Sequence, residues 1–165
     1  RSVTSTSADS IPPLAFERAR MSIASTIASA AMGVDIGSSA ITRDMAKERG
    51  GSADASIWFD DGPKLPAADV ARVNAVMSDA AASDDSDMRN IAHIGTIISA
   101  TSIAMAERLG KSGRDVLRAM TLGYEVGGRI DESLTPGRGE KGFHGSVSTV
   151  FGGTVATGKI GRAHV

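Results

Sequence analysis

Ser83 to Thr96 reads SDDSDMRNIAHIGT, which puts Asp84, Asp85, Asp87, Arg89 and Asn90 in front of His93. A helix starting at this histidine presents unpaired backbone N–H groups and the positive end of its dipole, a setting that suits a carboxylate ligand. Arg89 and His93 would add charge and hydrogen bonds to such a ligand. The same composition also fits a capping loop with no chemical role. A second stretch, GEKGFHG from Gly139 to Gly145, sets His144 between glycines that let backbone approach a ligand closely. Imidazole is the side chain tuned nearest to neutral pH, so His144 suits proton transfer. Packing against Phe143 at a helix entry is its structural alternative. Clustered carboxylates also suit magnesium, which makes Asp84, Asp85 and Asp87 a rival reading. Their spacing is loose, no second cluster follows and no basic phosphate clamp accompanies them, so neither metal nor cofactor is expected.

The elements that must hold these residues read as helices. IPPLAFERARMSIASTIASAAMG opens on prolines that fit a first helical turn. Leu14, Ala15, Arg18, Ala19, Ser22, Ile23, Thr26, Ile27 and Ala30 then recur at helical spacing and predict the buried face. SSAITRDMAKERGG repeats the plan, with Ile41, Met45 and Ala46 expected inside and Gly50-Gly51 as the stop. ASIWFDDGPKLP breaks the pattern and predicts a brief strand or extended arm near Ile57 to Phe59. Further helices are expected from Pro66, from His93 to Gly110, from Ser112 onward and after Val147. Ser112 and Asp115 have capping spacing. Glu125 and Arg129 are spaced for an ion pair along a helix, and Tyr124 for a core anchor with its hydroxyl at the rim. The fold class is therefore all-α. Gly152-Gly153 is not a phosphate loop, because no Gly-Lys-Ser/Thr completes it.

Composition bounds the partners. The chain has 165 residues, enough for one domain with a sizeable core. Its net charge of −1 gives no bulk attraction to nucleic acid or an anionic membrane. The absence of cysteine excludes disulfides and thiolate chemistry. No apolar run reaches the length of a membrane span. The expected compartment is the cytoplasm. Residues 1–10 are Ser/Thr-rich and expected to form a loose arm, with the domain proper spanning 11–158. Residues 159–165, KIGRAHV, match a translated sequencing adapter and are expected to be read-through, so His164 is assigned no chemistry.

Taken in order, five segments resemble the MmgE/PrpD family, which includes 2-methylcitrate dehydratase, cis-aconitate decarboxylase and iminodisuccinate epimerase. They are ERA near the start, LPAADVARVNAVMSDAAASDDS, AHIGT, AMAERLGKSGRDVLRAMTLGYEVGGRI and GFHGSVSTVFGG. The resemblance runs from about Ile11 to Gly158 and implies the truncated N-terminal helical domain of a homodimeric enzyme. The implied reaction is cofactor-free removal of water, carbon dioxide or a proton beside a carboxylate of a small di- or tricarboxylate. The family's Asp-Phe-Asp-Asp-Thr segment falls on Ala82 to Ser86, so its leading aspartate is Ala82 here. The histidine of His-Pro-Gly falls on His93, one place further along, and that of Gly-Phe-His on His144. The resemblance implies His93 and His144 as the acid/base pair, with Asp85, Ser86 and Arg89 orienting or binding substrate. The family's later lysine and mixed α/β lid lie beyond the matched segment, so this piece alone is expected to be inactive. Ala82 motivates the alternative, a non-catalytic helical module that dimerises or binds polycarboxylates. With the lid missing, apolar faces of the helices from His93 and Val147 are expected to remain uncovered.

Overall fold

The computed structural model describes residues 10–87, 92–134, 137, 139–142 and 146–161. Six helices and no sheet make up the described residues: α1 Pro13–Gly33, α2 Gly37–Arg49, α3 Ala67–Ala80, α4 Ile94–Leu109, α5 Gly113–Leu134 and α6 Thr149–Gly161. The punctuation follows local chemistry. Proline occupies the first turn of α1 and precedes α3, where a missing N–H costs nothing. Gly110 ends α4 in the left-handed region (φ +60°), its N–H returning to the Ala106 and Glu107 carbonyls. Ser112 and Asp115 cap α5 reciprocally, each side chain accepting from the other's backbone N–H at 3.3 and 3.1 Å.

Helix α4 is the axis of the domain. It packs on α1, α3, α5 and α6, and residues from Ile94 to Ala106 along it are buried. Two cores meet there. One joins Ala30, Ala46, Val70, Val73, Met77 and Ala104 from α1 to α4 with Ile57 and Leu65 of the arm. The other joins Ile94 and Ile98 to Met120 of α5 and Ala156 and Ile160 of α6. Helices α5 and α6 cross at glycine: a Cβ on Gly123 would lie 2.8 Å from the Gly152 carbonyl oxygen. The Gly152-Gly153 pair thus serves close packing. Helix α6 runs across Lys159 to Gly161 and buries Ile160.

The arm before α3 is extended without becoming a strand. Ala55 and Leu65 pair as an isolated antiparallel bridge, and the chain turns at Trp58-Phe59. Asn74, buried on α3, holds the arm by accepting from Trp58 N–H at 3.0 Å and donating to the Ser56 carbonyl at 3.3 Å. Glu107 accepts from Ser56 N–H and Oγ at 3.1 and 3.0 Å.

Two predicted helix faces differ in part from those observed, although Ala19, Ser22, Thr26 and Ala30 of α1 are buried as expected. On α1 the buried positions are Ala19, Ser22, Thr26, Ser29, Ala30 and Gly33, while Leu14 is 65% exposed and Arg18 is exposed. On α2, Ala46 is buried as expected, but Ile41 and Met45 face outward at 64% and 49% exposure. Small residues let helices approach closely, and here close approach wins over burying the larger side chains. The exposed large apolar side chains lie on α1 and α2, on α6 at Val150 and Phe151, at Phe59 of the arm and at Leu109, the end of α4. Helix α4 is mostly enclosed.

Candidate active site

Two aspartates from the α3–α4 connection approach the first turn of α4. Asp84 turns toward its capping residue: its Oδ2 lies 3.0 Å from Nδ1 of His93 and accepts from Thr96 Oγ1 at 2.8 Å. A carboxylate only accepts, so Nδ1 carries the proton and Nε2 is the basic nitrogen. Ser86 Oγ stands 3.4 Å from the same Nδ1. The Asp84 side chain is fully buried, while that of His93 is 36% exposed.

Asp85 turns the other way, between α1 and α5. Its Oδ2 accepts from Ser22 Oγ at 2.9 Å and Tyr124 OH at 3.1 Å, and the two hydroxyls also touch each other. Burial, with the Asp85 charge next, pushes the Tyr124 hydroxyl far above its ordinary range, so it stays protonated and donates. Gly95 makes room for this group, because a Cβ there would overlap Asp85 Oδ1 and lie 2.7 Å from Tyr124 OH. Oδ1 of Asp84 and Oδ1 of Asp85 are both buried without a hydrogen-bond partner among the described residues.

A cleft of about 840 Å³ opens beside His93. Helix α4 contributes Thr96, Ile97, Thr101 and Met105; α3 contributes an alanine flank from Ala67 to Ala75 and Asp79; α6 and its entry contribute Ser146, Thr149 and Thr157. This is where α4 remains uncovered. Its cations, Arg72 and Arg108, are far from the histidine. Arg72 is roughly 10 Å of helix rise from Asp79, and Arg108 roughly 22 Å from His93. A molecule the size of a tricarboxylate at His93 does not reach Arg108.

Of the predicted site residues, only His93 lines the cleft among the described residues; Ser86 stands behind it, its Oγ 3.4 Å from His93 Nδ1. Asp85 does not line it, being held between Ser22 and Tyr124. Arg89 and His144 lie outside the described residues, so the expected meeting of the two histidines does too. The three aspartates of the rival magnesium reading separate: Asp85 faces α1 and α5, and Asp87 pairs through its backbone with Ala92. Thr96, the second donor to Asp84, was missed as a site residue. Its place three residues after a histidine at a helix start is the signal that could have found it.

The MmgE/PrpD N-terminal domain matches residues 1–164. The chain belongs to the MmgE/PrpD family. No curated protein matches it. The family includes dehydratases, and the described helices fit its N-terminal domain. At Ala82 the backbone is left-handed (φ +50°). Asp and Asn tolerate that region better than alanine. No helix among the described residues is long and apolar enough to cross a membrane.

Proposed function

We propose that the chain is the helical part of a lyase that acts on a small di- or tricarboxylate by cofactor-free proton abstraction, a hydro-lyase of the 2-methylcitrate dehydratase kind. The supporting observation is the Asp84–His93 pair at the edge of the cleft. Asp84 fixes the imidazole with its proton on Nδ1, so the Nε2 lone pair is free to take a proton from carbon beside a substrate carboxylate. His144 is assigned the complementary acid that protonates the leaving group. Ser86 and Arg89 bind substrate oxygens. Asp85, with its two hydroxyl donors, supports the helix start and acts on substrate only through it. Epimerisation passes through the same carbanion-like state, and decarboxylation reaches one by loss of carbon dioxide and is completed by protonation; both belong to the same reading. The working enzyme is a homodimer in the cytoplasm.

Ala82 favours a second reading, in which the fold persists as a dimerisation or polycarboxylate-binding module without turnover. One experiment separates the two. The longer protein containing this domain is incubated with 2-methylcitrate and with citrate in deuterated water, and loss of water and deuterium uptake at carbon are followed by NMR. Turnover or exchange that falls about 10²–10⁴-fold in His93→Gln supports the lyase. Saturable binding with neither exchange nor turnover supports the module.

A further inference from the structure

Asp79, at the end of α3, completes a group that the reading above does not use. One carboxylate oxygen each of Asp79 and Asp84 and a ring nitrogen of His93 all lie within 4.8 Å of one another. We propose that these three side chains form a binding site for a divalent transition-metal ion, and that the ion switches off His93 as a base. The second clause rests on the lyase reading; the first does not.

Three observations point to a cation. Two carboxylates and a neutral imidazole bring a formal charge of −2, which one divalent ion balances. Among the described residues no lysine or arginine is ion-paired with Asp79 or Asp84. Among the described residues Oδ1 of Asp84 has no partner, though it is buried in a side chain with no exposure, a costly state that an ion coordinated through it would relieve. The mixed set of one nitrogen and two oxygens suits zinc or manganese better than magnesium, which is held mostly by oxygen and water. Ser86 Oγ, 3.4 Å from His93 Nδ1, stands close enough to hold a coordinated water. Asp79 is exposed and lines the cleft, so the ion has an open approach.

The consequence follows from the valence of imidazole. A neutral ring has one lone pair to give. If the metal takes Nε2, that pair is gone. If it takes Nδ1, the proton moves to Nε2, which then has no pair for a substrate proton. Either geometry leaves His93 unable to act as a base.

The test is a calorimetric titration of the metal-stripped chain with zinc chloride. One ion per chain is expected, with affinity falling at least tenfold in Asp79→Asn and in His93→Gln. Absence of saturable binding, or binding unchanged in Asp79→Asn, overturns the site. Asp79 is exposed, so its variant should fold, and an unchanged thermal melt checks this. In the longer protein, zinc should suppress turnover in the wild type and much less in Asp79→Asn. Zinc-insensitive turnover in the wild type overturns the switch. If the lyase reading fails, the titration still decides the site.

Discussion

Asp84 and Asp85 are adjacent in sequence and stand beside the same helix start, yet they face different surroundings. Asp85 is held by Ser22 from α1 and Tyr124 from α5, against a glycine with no room for a methyl group. Asp84 has as partners a threonine one turn along and a histidine that faces the cleft. One carboxylate joins three helices, and the other orients a group that can meet a ligand. The helix end favours negative charge on both, so the dipole does not distinguish them. What distinguishes them is the partner each reaches: two hydroxyls in a closed space, or an imidazole at an open edge.

The comparison breaks first at Gly95. Gly95→Ala places a methyl group into Asp85 Oδ1 and against Tyr124 OH. Expelling a buried, hydrogen-bonded carboxylate should cost about 3 kcal/mol, read from the denaturant midpoint. A loss under about 1 kcal/mol would mean that the closed side is loosely packed. Tyr124→Phe should cost about 2 kcal/mol by removing one donor from Asp85, while zinc affinity at Asp79, Asp84 and His93 stays at the wild-type level. A fall in zinc affinity would show that the two sides are coupled.

A smaller effect distinguishes α5, which carries its own cap, from α4, whose carboxylates come from the preceding loop. The Ser112 hydrogen bond holds the Asp115 carboxyl below its ordinary 3.8, against the opposing effect of burial. The folded pKa is depressed, so the stabilisation is complete above the unfolded value and fades as pH falls through the folded one. Melts of the wild type should therefore lose stability below about pH 4, and Asp115→Asn should make that loss shallower by less than about 1 kcal/mol. The smallest expected change is at Ala82. Ala82→Gly relieves left-handed strain but adds unfolded-state freedom, for a net gain of about 0.5 kcal/mol. A loss of stability there would show that the left-handed alanine carries no strain.

Much of the fold was legible because its boundaries are chemical. Pro13, Pro66, Gly110 and the Ser112–Asp115 cap each mark an end that local physics enforces. The helix faces were less legible. On α1 the expected Ala19, Ser22, Thr26 and Ala30 are buried, but periodicity also placed Leu14 and Arg18 on that face, and both lie outside. In the site, His93 stood out because the chain has only three histidines. Its pairing with Asp84 did not, because the two are brought together by a loop whose path no spacing rule gives. Asp79 was hidden for the same reason: it reads as an ordinary polar residue near the end of α3 until the loop folds back beside it.

The central claim is that Asp84 holds His93 with its proton on Nδ1 and the lone pair on Nε2. Imidazole nitrogen NMR of the metal-free chain tests it directly, with His144→Gln used to assign the signals. The expected result is a His93 ring with its proton on Nδ1, and a loss of that preference in Asp84→Asn. A wild-type ring protonated at Nε2, or a tautomer unchanged by Asp84→Asn, would contradict it.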